Sequence, residues 1–194
     1  EVLYSSGIMF SSAIEMKLLM ETAIDTVVKE LKADAGFIIL SNPAGETESV
    51  FAKNMDPEND SDAMSMSTTV IKSTMSGSGP VQVNDTSNDD ELSSKNSIIK
   101  LGISAVLCVP LINVNTVLGA VYIDRRNKEN PFTHNDLVFL LSFAKQIVKG
   151  LEISLEISSL EKKILAEAIT KFEDLRKEFK CENITGSSKK LFEV

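Results

Sequence analysis

Apolar positions concentrate in residues 101 to 124, LGISAVLCVPLINVNTVLGAVYID, and resolve into two strands, Ile103–Ile112 and Thr116–Ile123. Between them lies Asn113-Val114-Asn115, where Asn tolerates the positive φ angles that short hairpin loops demand. Neither arm alternates between apolar and polar residues, so both faces of this hairpin are expected to be covered. That places the two arms as adjacent central strands of a sheet with helices on both sides. Gly119, bare in mid-strand, predicts a bulge or a close approach, and Pro110 predicts a local break in pairing.

Upstream, Leu3, Gly7, Phe10 and Ile14 fall at helical spacing and predict a first helix over residues 2–14. Met16, Met20, Ile24, Val27 and Leu31 predict a second, with Glu15, Lys17, Glu21, Asp25 and Lys29 on its other side. Gly36 is the expected stop for that helix. Phe37–Leu40 reads as a buried strand, Asn42-Pro43-Ala44-Gly45 as a turn, and Glu48–Lys53 as a returning strand. Residues 54–63 form an acidic loop, and Ser67 caps a short helix through Met75 that Gly77-Ser78-Gly79-Pro80 ends. Val81–Val83 is a brief strand, residues 84–94 are loop, and Ser97–Leu101 make a helical turn closed by Gly102.

Downstream, Thr133 followed by Asp136 makes a capping-box start. Between there and Gly186 there is no Pro and a single Gly, Gly150. A continuous helix from Thr133 to Lys180 would run on the order of 70 Å at ~1.5 Å per residue. Leu137, Leu140, Leu141, Ala144, Ile147, Val148 and Leu151 make a stripe broad enough to cover a sheet. Beyond Gly150, itself a place for a bend, the stripe narrows to Ile153, Ile157, Leu160, Ile164, Ala168, Phe172, Leu175 and Phe179. Those steps are coiled-coil spacing, with a stutter at Ile164–Ala168–Phe172. The positions from Ile153 to Leu175 are therefore the expected interface of a parallel homodimer.

Composition narrows the function classes. The 194 residues are 43% hydrophobic and 25% charged, with a formal net charge of −8. Phosphate backbones attract Lys and Arg, so direct nucleic-acid binding by this chain is not expected. No apolar run reaches the ~18 residues of a membrane helix, and no signal peptide is recognisable, so neither membrane contact nor export is expected. From the start at Glu1 without Met, a fragment of a longer protein is expected. Cys108 lies in the apolar strand as an expected inert thiol; Cys181 is distant, and neither has metal-ligand spacing. That usage fits a reducing, cytoplasmic compartment. His134 is the only histidine, which leaves triad, haem and His-rich metal chemistry with little to work with. Asp85, Ser87 and Asp89 lack the Gly and the downstream Glu of a calcium loop, and a self-capping turn accounts for them.

Taken in order, several stretches resemble the GAF domain, a small-molecule-sensing module, over residues 3–152. They are Ala33–Leu40, Pro80–Asp85, Ser104–Leu111, Leu118–Asp124, and Phe132-Thr133 with Asp136. The resemblance implies an α+β sandwich: a mostly antiparallel sheet of five or six strands, terminal helices on one face and a ligand pocket on the other. It is completed by the long C-terminal coiled-coil helix. Asn183–Val194, NITGSSKKLFEV, resembles the opening of the AAA+ ATPase domain of sigma-54-dependent transcriptional activators. The implied organisation is a sensory domain over residues 1–152, a coiled-coil linker over 153–181, and the truncated start of the ATPase over 182–194. No phosphate-binding G-x-x-x-x-G-K-[ST] loop occurs in the chain. The implied partners are a second copy, the protein's own downstream AAA+ domain and, through the full-length protein, sigma-54 RNA polymerase. The implied role is non-catalytic control of the ATPase, negative in sign.

The ligand itself stays open at this level. Asn127, Lys128, Phe132 and Asp136 match in order a pattern of cyclic-nucleotide-binding GAF domains, but Leu137 replaces its final Glu; a stapled, capped helix start explains the same residues. Cys108 and His134 do not fit bilin attachment or haem ligation, and the carboxylates of Asp85–Glu91 are not an ordered ligand set for iron. No cofactor and no metal site are expected. By the period of two, Ala105, Leu107 and Val109 share a strand face, as do Val121 and Ile123. With Phe37, Ile39 and Ile98, and with Asp85 at the rim, they make the expected pocket. The alternatives are a GAF sensor feeding a histidine kinase or a cyclic-nucleotide-regulated enzyme, and a reductase of the methionine-sulfoxide kind, which needs a reactive thiol.

Overall fold

The computed structural model describes residues 2–42, 44–55, 70–88, 102–126 and 130–178. It divides into two units, Ala13–Ser154, and Glu1–Ser12 together with Leu155–Val194. Helix α1 spans Val2–Glu30, followed by strands β1, Ala35–Ser41, and β2, Thr47–Lys53. A short helix over residues 70–73 continues as a π turn over Thr74–Ser78, before β3, Val81–Val83, and a 3₁₀ turn, Thr86–Asn88. Strands β4, Ala105–Asn113, and β5, Thr116–Arg125, make the hairpin, and helix α2 spans His134–Glu178.

The strands form one antiparallel sheet in the order β2-β1-β5-β4-β3. The α+β architecture with a long C-terminal helix is as expected. β5 is the central strand, and it is apolar on both sides for that reason. Helices α1 and α2 cover one face: Met20, Ile24 and Val27 with Leu140, Ala144 and Ile147 bury against Ile38, Leu107, Val109, Val121 and Ile123. The other face carries a second buried cluster of Phe37, Ile39, Val106, Cys108, Ala120 and Tyr122 under Val70 and Ile71.

Several local expectations change. Residues 2–30 form one helix where two were expected, because no Pro interrupts the chain there and the spacing continues unbroken. The helix ends at Glu30 and is stopped by Lys32, not by Gly36. Lys32 takes φ +48°, its N–H bonds Lys29 O at 3.2 Å, and Ala33 N–H bonds Val28 O at 2.9 Å, the paired bonds of a Schellman stop. Gly36 lies within β1, where a Cβ would stand 2.8 Å from both Ile123 Cγ2 and Tyr122 O. Gly119 is bare because β1 crosses it: an added Cβ would meet Ile39 O at 1.9 Å. The β4–β5 register also shifts beside it, between Leu111 and Ile112, so a bulge and a close approach coincide.

Pro110 does not break the β4–β5 pairing, which runs through Pro110↔Ala120, while the shorter β3 pairs only with Val106–Cys108. The hairpin turn is Val114-Asn115, with Val114 at φ +53° where Asn was the expected left-handed residue. Gly150 does not interrupt α2; a Cβ there would stand 3.1 Å from Leu19 Cδ2, so it marks where α1 and α2 pack closely. The capping box forms as read: Thr133 N–H donates to Asp136 Oδ2 at 2.7 Å, and Asp136 N–H donates to Thr133 Oγ1 at 3.2 Å. Cys181, Phe179, the turn at Ser97–Leu101, the cap at Ser67, and residues 182–194 lie outside the described residues.

Candidate functional site

The expected pocket drew on both sides of the sheet, and the register separates it. Phe37 pairs with Tyr122 and Ile39 with Ala120, so these four side chains share one face. Ala105, Leu107, Val109, Val121 and Ile123 project from the opposite face into the packing beneath α1 and α2. They fill the main core and cannot line a pocket with Phe37 and Ile39. The even-numbered neighbours stand in their place: Val106, Cys108, Ala120 and Tyr122. Sequence reasoning missed them because both faces are apolar, so alternation carries no signal about which parity faces which side. Ile98 lies outside the described residues.

Asp85 is exposed and accepts the Ser87 N–H at 3.0 Å, so it closes a local turn at the start of the 3₁₀ segment. Thr86 next to it is buried and donates its hydroxyl to Ile103 O at 2.6 Å, tying that turn to the entry of β4.

On this second face Phe37 and Tyr122 stack with ring centroids 4.6 Å apart and planes 10° from parallel. Burial pushes the Tyr122 phenol well above its usual range, and the Asp124 charge adds to that. Cys108 is fully buried, which pushes its thiol up to about 12 against a smaller opposing effect of Thr74. A thiol so far from ionising is a poor nucleophile at neutral pH, which answers the expectation of an inert Cys108 and weighs against reductase chemistry there. Thr74 is itself fully buried, and its Oγ1 has no hydrogen-bond partner of ordinary geometry.

Asp124, two residues along β5 from Tyr122, projects to the same side. It is fully buried, and neither carboxylate oxygen has a hydrogen-bond partner. Arg126 Nε lies 3.5 Å from Oδ1, beyond the ~2.7–2.9 Å of a charge-assisted hydrogen bond. Burial raises the Asp124 carboxyl to about 7; Arg126 works against the rise and Asp34 adds to it.

Arg125 points the other way. Its guanidinium donates to Leu31 O at the end of α1, to Asn130 O at 3.2 Å and to Pro131 O at 2.8 Å. It lies 3.6 Å from Asp136 Oδ2 and sits over the Phe132 ring, 4.2 Å from its centroid. Phe132 and Asp136 are thus built into the start of α2, and Asn127 and Lys128 lie outside the described residues. Among the described residues no cluster of three or more His, Cys, Asp or Glu side chains is placed to hold a metal, and no helix is long and apolar enough to cross a membrane.

Of the seven expected interface positions, Ile153, Ile157, Leu160, Ile164, Ala168 and Leu175 are exposed on α2, and Phe172 is half-buried.

A GAF domain model matches residues 14–152. The chain belongs to the GAF family. Similar folds include the GAF domain region of a Geobacter sulfurreducens protein, at 20% identity and a TM-score of 0.59, covering 75% of this chain and 98% of that one. Residues 122 to 287 of a methyl-accepting chemotaxis protein align at 16% identity and a TM-score of 0.59, over 79% of this GAF chain and 97% of that chain. The GAF domain of an Acinetobacter phosphoenolpyruvate-protein phosphotransferase aligns at 13% identity and a TM-score of 0.56, over 73% and 85%. Nothing matches among curated proteins.

Proposed function

We propose that this GAF domain is the sensory part of a sigma-54-dependent activator, that it works as a parallel homodimer in the cytoplasm, and that it restrains the downstream AAA+ ATPase until a small molecule binds. The ligand side is the sheet face of Phe37 and Tyr122, since the opposite face is filled by α1 and α2. The observation that carries the output is the row of apolar residues left exposed on α2: Ile153, Ile157, Leu160 and Ile164 are 44–67% exposed. At coiled-coil spacing such a row is satisfied by a second copy. The resemblance of Asn183–Val194 to the opening of the ATPase supports that domain as what the helix leads to.

The stutter at Ile164–Ala168–Phe172 gives the linker two registers of similar energy, and a ligand that favours one by a few kcal/mol shifts the population substantially. The domain itself is a regulator and does no chemistry. The test is ATPase activity of the intact protein against a version starting at Asn183. Restraint by the GAF domain requires the truncated protein to be the more active; a less active truncation reverses the sign. A histidine kinase or cyclic-nucleotide-regulated enzyme encoded beyond Val194, in place of a phosphate-binding loop, overturns the assignment to this activator class.

A further inference from the structure

Among the described residues, three of the four buried side-chain atoms that lack a hydrogen-bond partner lie on the ligand side of the sheet: Thr74 Oγ1 and both oxygens of Asp124. Folded proteins leave few such groups, because each forfeits its hydration without replacement. A buried carboxylate with two open oxygens is the costliest of these to leave alone. The cation paired with it among the described residues, Arg126, stands 3.5 Å away and is itself partly exposed. Tyr122 and Asp124 leave β5 about 7 Å apart on one face, so the carboxylate stands beside an aromatic wall. Cys108 pairs with Tyr122 on the other side, and Thr74 lies near Cys108.

We propose that Asp124 is the polar anchor of the ligand site, and that it selects a compact nitrogenous ligand whose paired N–H donors, carried on a cationic amidinium- or guanidinium-like group, meet both carboxylate oxygens. The flat or apolar remainder of the ligand lies along Phe37 and Tyr122. This rests on the sensory reading above and names the chemistry of the ligand. A carboxylate or phosphate ligand is rejected here by like charge.

Benzamidine is the probe and benzoate its matched acid, each titrated at pH 8 by thermal shift and calorimetry. Benzamidine is expected to raise the melting temperature of the wild-type protein with increasing dose, and benzoate to leave it unchanged. Asp124→Asn, which keeps the shape and removes the charge, should weaken benzamidine by about tenfold or more. Asp34→Asn removes an equal charge from a neighbouring, exposed carboxylate and should leave binding intact. A benzamidine shift that survives Asp124→Asn, a benzoate shift of equal size, or no benzamidine shift overturns the proposal. If Asp124→Asn fails to fold, the ¹³C carboxyl resonance of Asp124 in the wild-type protein reads the same contact and must move on adding benzamidine. Native mass spectrometry of protein from its own host separates the two levels. A retained acidic metabolite that Phe37→Ala releases leaves the sensory reading standing and removes the Asp124 anchor; a face that holds no ligand of either charge removes both.

Discussion

Asp124 and Arg125 are consecutive on β5 and serve opposite faces of the sheet. Asp124 stands buried on the side of Phe37 and Tyr122, while Arg125 bonds the end of α1 and the approach to α2. Anything that shifts the end of β5 on the side of Phe37 and Tyr122 therefore moves the group that holds the start of the long helix. Arg125 is fixed by several fixed partners at once, so it transmits a displacement instead of absorbing it.

Arg125→Lys tests that connection. A lysine keeps the charge but cannot reach Leu31 O, Pro131 O and Asp136 together, and it loses the planar contact with Phe132. The expected loss of stability is about 2–4 kcal/mol, from buried carbonyls left unpaired and a buried charge less well held. Amide exchange should accelerate at residues 130–137. A Lys variant with wild-type stability and exchange would show that the Arg125 contacts carry little.

Gly119→Ala should be among the most damaging single changes in the domain. The new methyl would need the place of Ile39 O, 1.9 Å away, and backbone in a central strand pair has no room to retreat. We expect a loss of about 3 kcal/mol or more, read from the denaturation midpoint. Gly45→Ala serves as the comparison, since nothing lies within 4 Å there and the cost is only that of its positive φ.

The pH dependence of stability carries a signature of Asp124. In the folded state its carboxyl holds a proton up to about pH 7, whereas the ordinary value of the unfolded group is 3.8. Between these values the folded state binds the extra proton, so this group makes stability fall as pH rises from about 4 to 7, and adds no slope above that. At about 1.4 kcal/mol per pH unit the full effect has an upper bound of roughly 4 kcal/mol. Urea midpoints of the wild type and Asp124→Asn should therefore diverge as pH rises across this window, with the Asn variant gaining. Parallel profiles would mean that the carboxyl ionises normally in the fold.

The dimer proposal predicts that Ile157→Asp combined with Ile164→Asp yields monomers with an intact GAF fold. Both positions are exposed on α2, so the single chain tolerates the change, whereas a coiled-coil seam loses ~2–5 kcal/mol per large apolar residue removed. Sedimentation at micromolar protein reads the outcome. A double variant that stays dimeric moves the interface elsewhere, with Leu3 and Phe10 on α1 the next to substitute.

The sequence by itself determined the strands, the apolar stripes of the helices and the capping box of Thr133 with Asp136, because each is set by neighbours within a few residues. The face of α1 that packs on the sheet follows from Met20, Ile24 and Val27 in the same way, since a helix with one polar side has one choice. It also carried the family resemblance, which rests on ordered local stretches. It did not determine which parity of β4 and β5 shares a face with Phe37 and Ile39. Both faces are apolar, and only the pairing of Phe37 with Tyr122, made between residues 85 positions apart, decides the matter. The roles of Gly36 and Gly119 were hidden for the same reason: what forbids a side chain there is a neighbouring strand's backbone, or a neighbour's side chain, far away in the chain. Asp124 is the extreme case. In sequence it is an acidic residue at the end of an apolar strand, where water would be expected to receive it. Tertiary packing instead buries it fully, and its pairing with Arg126 leaves both oxygens without a hydrogen bond.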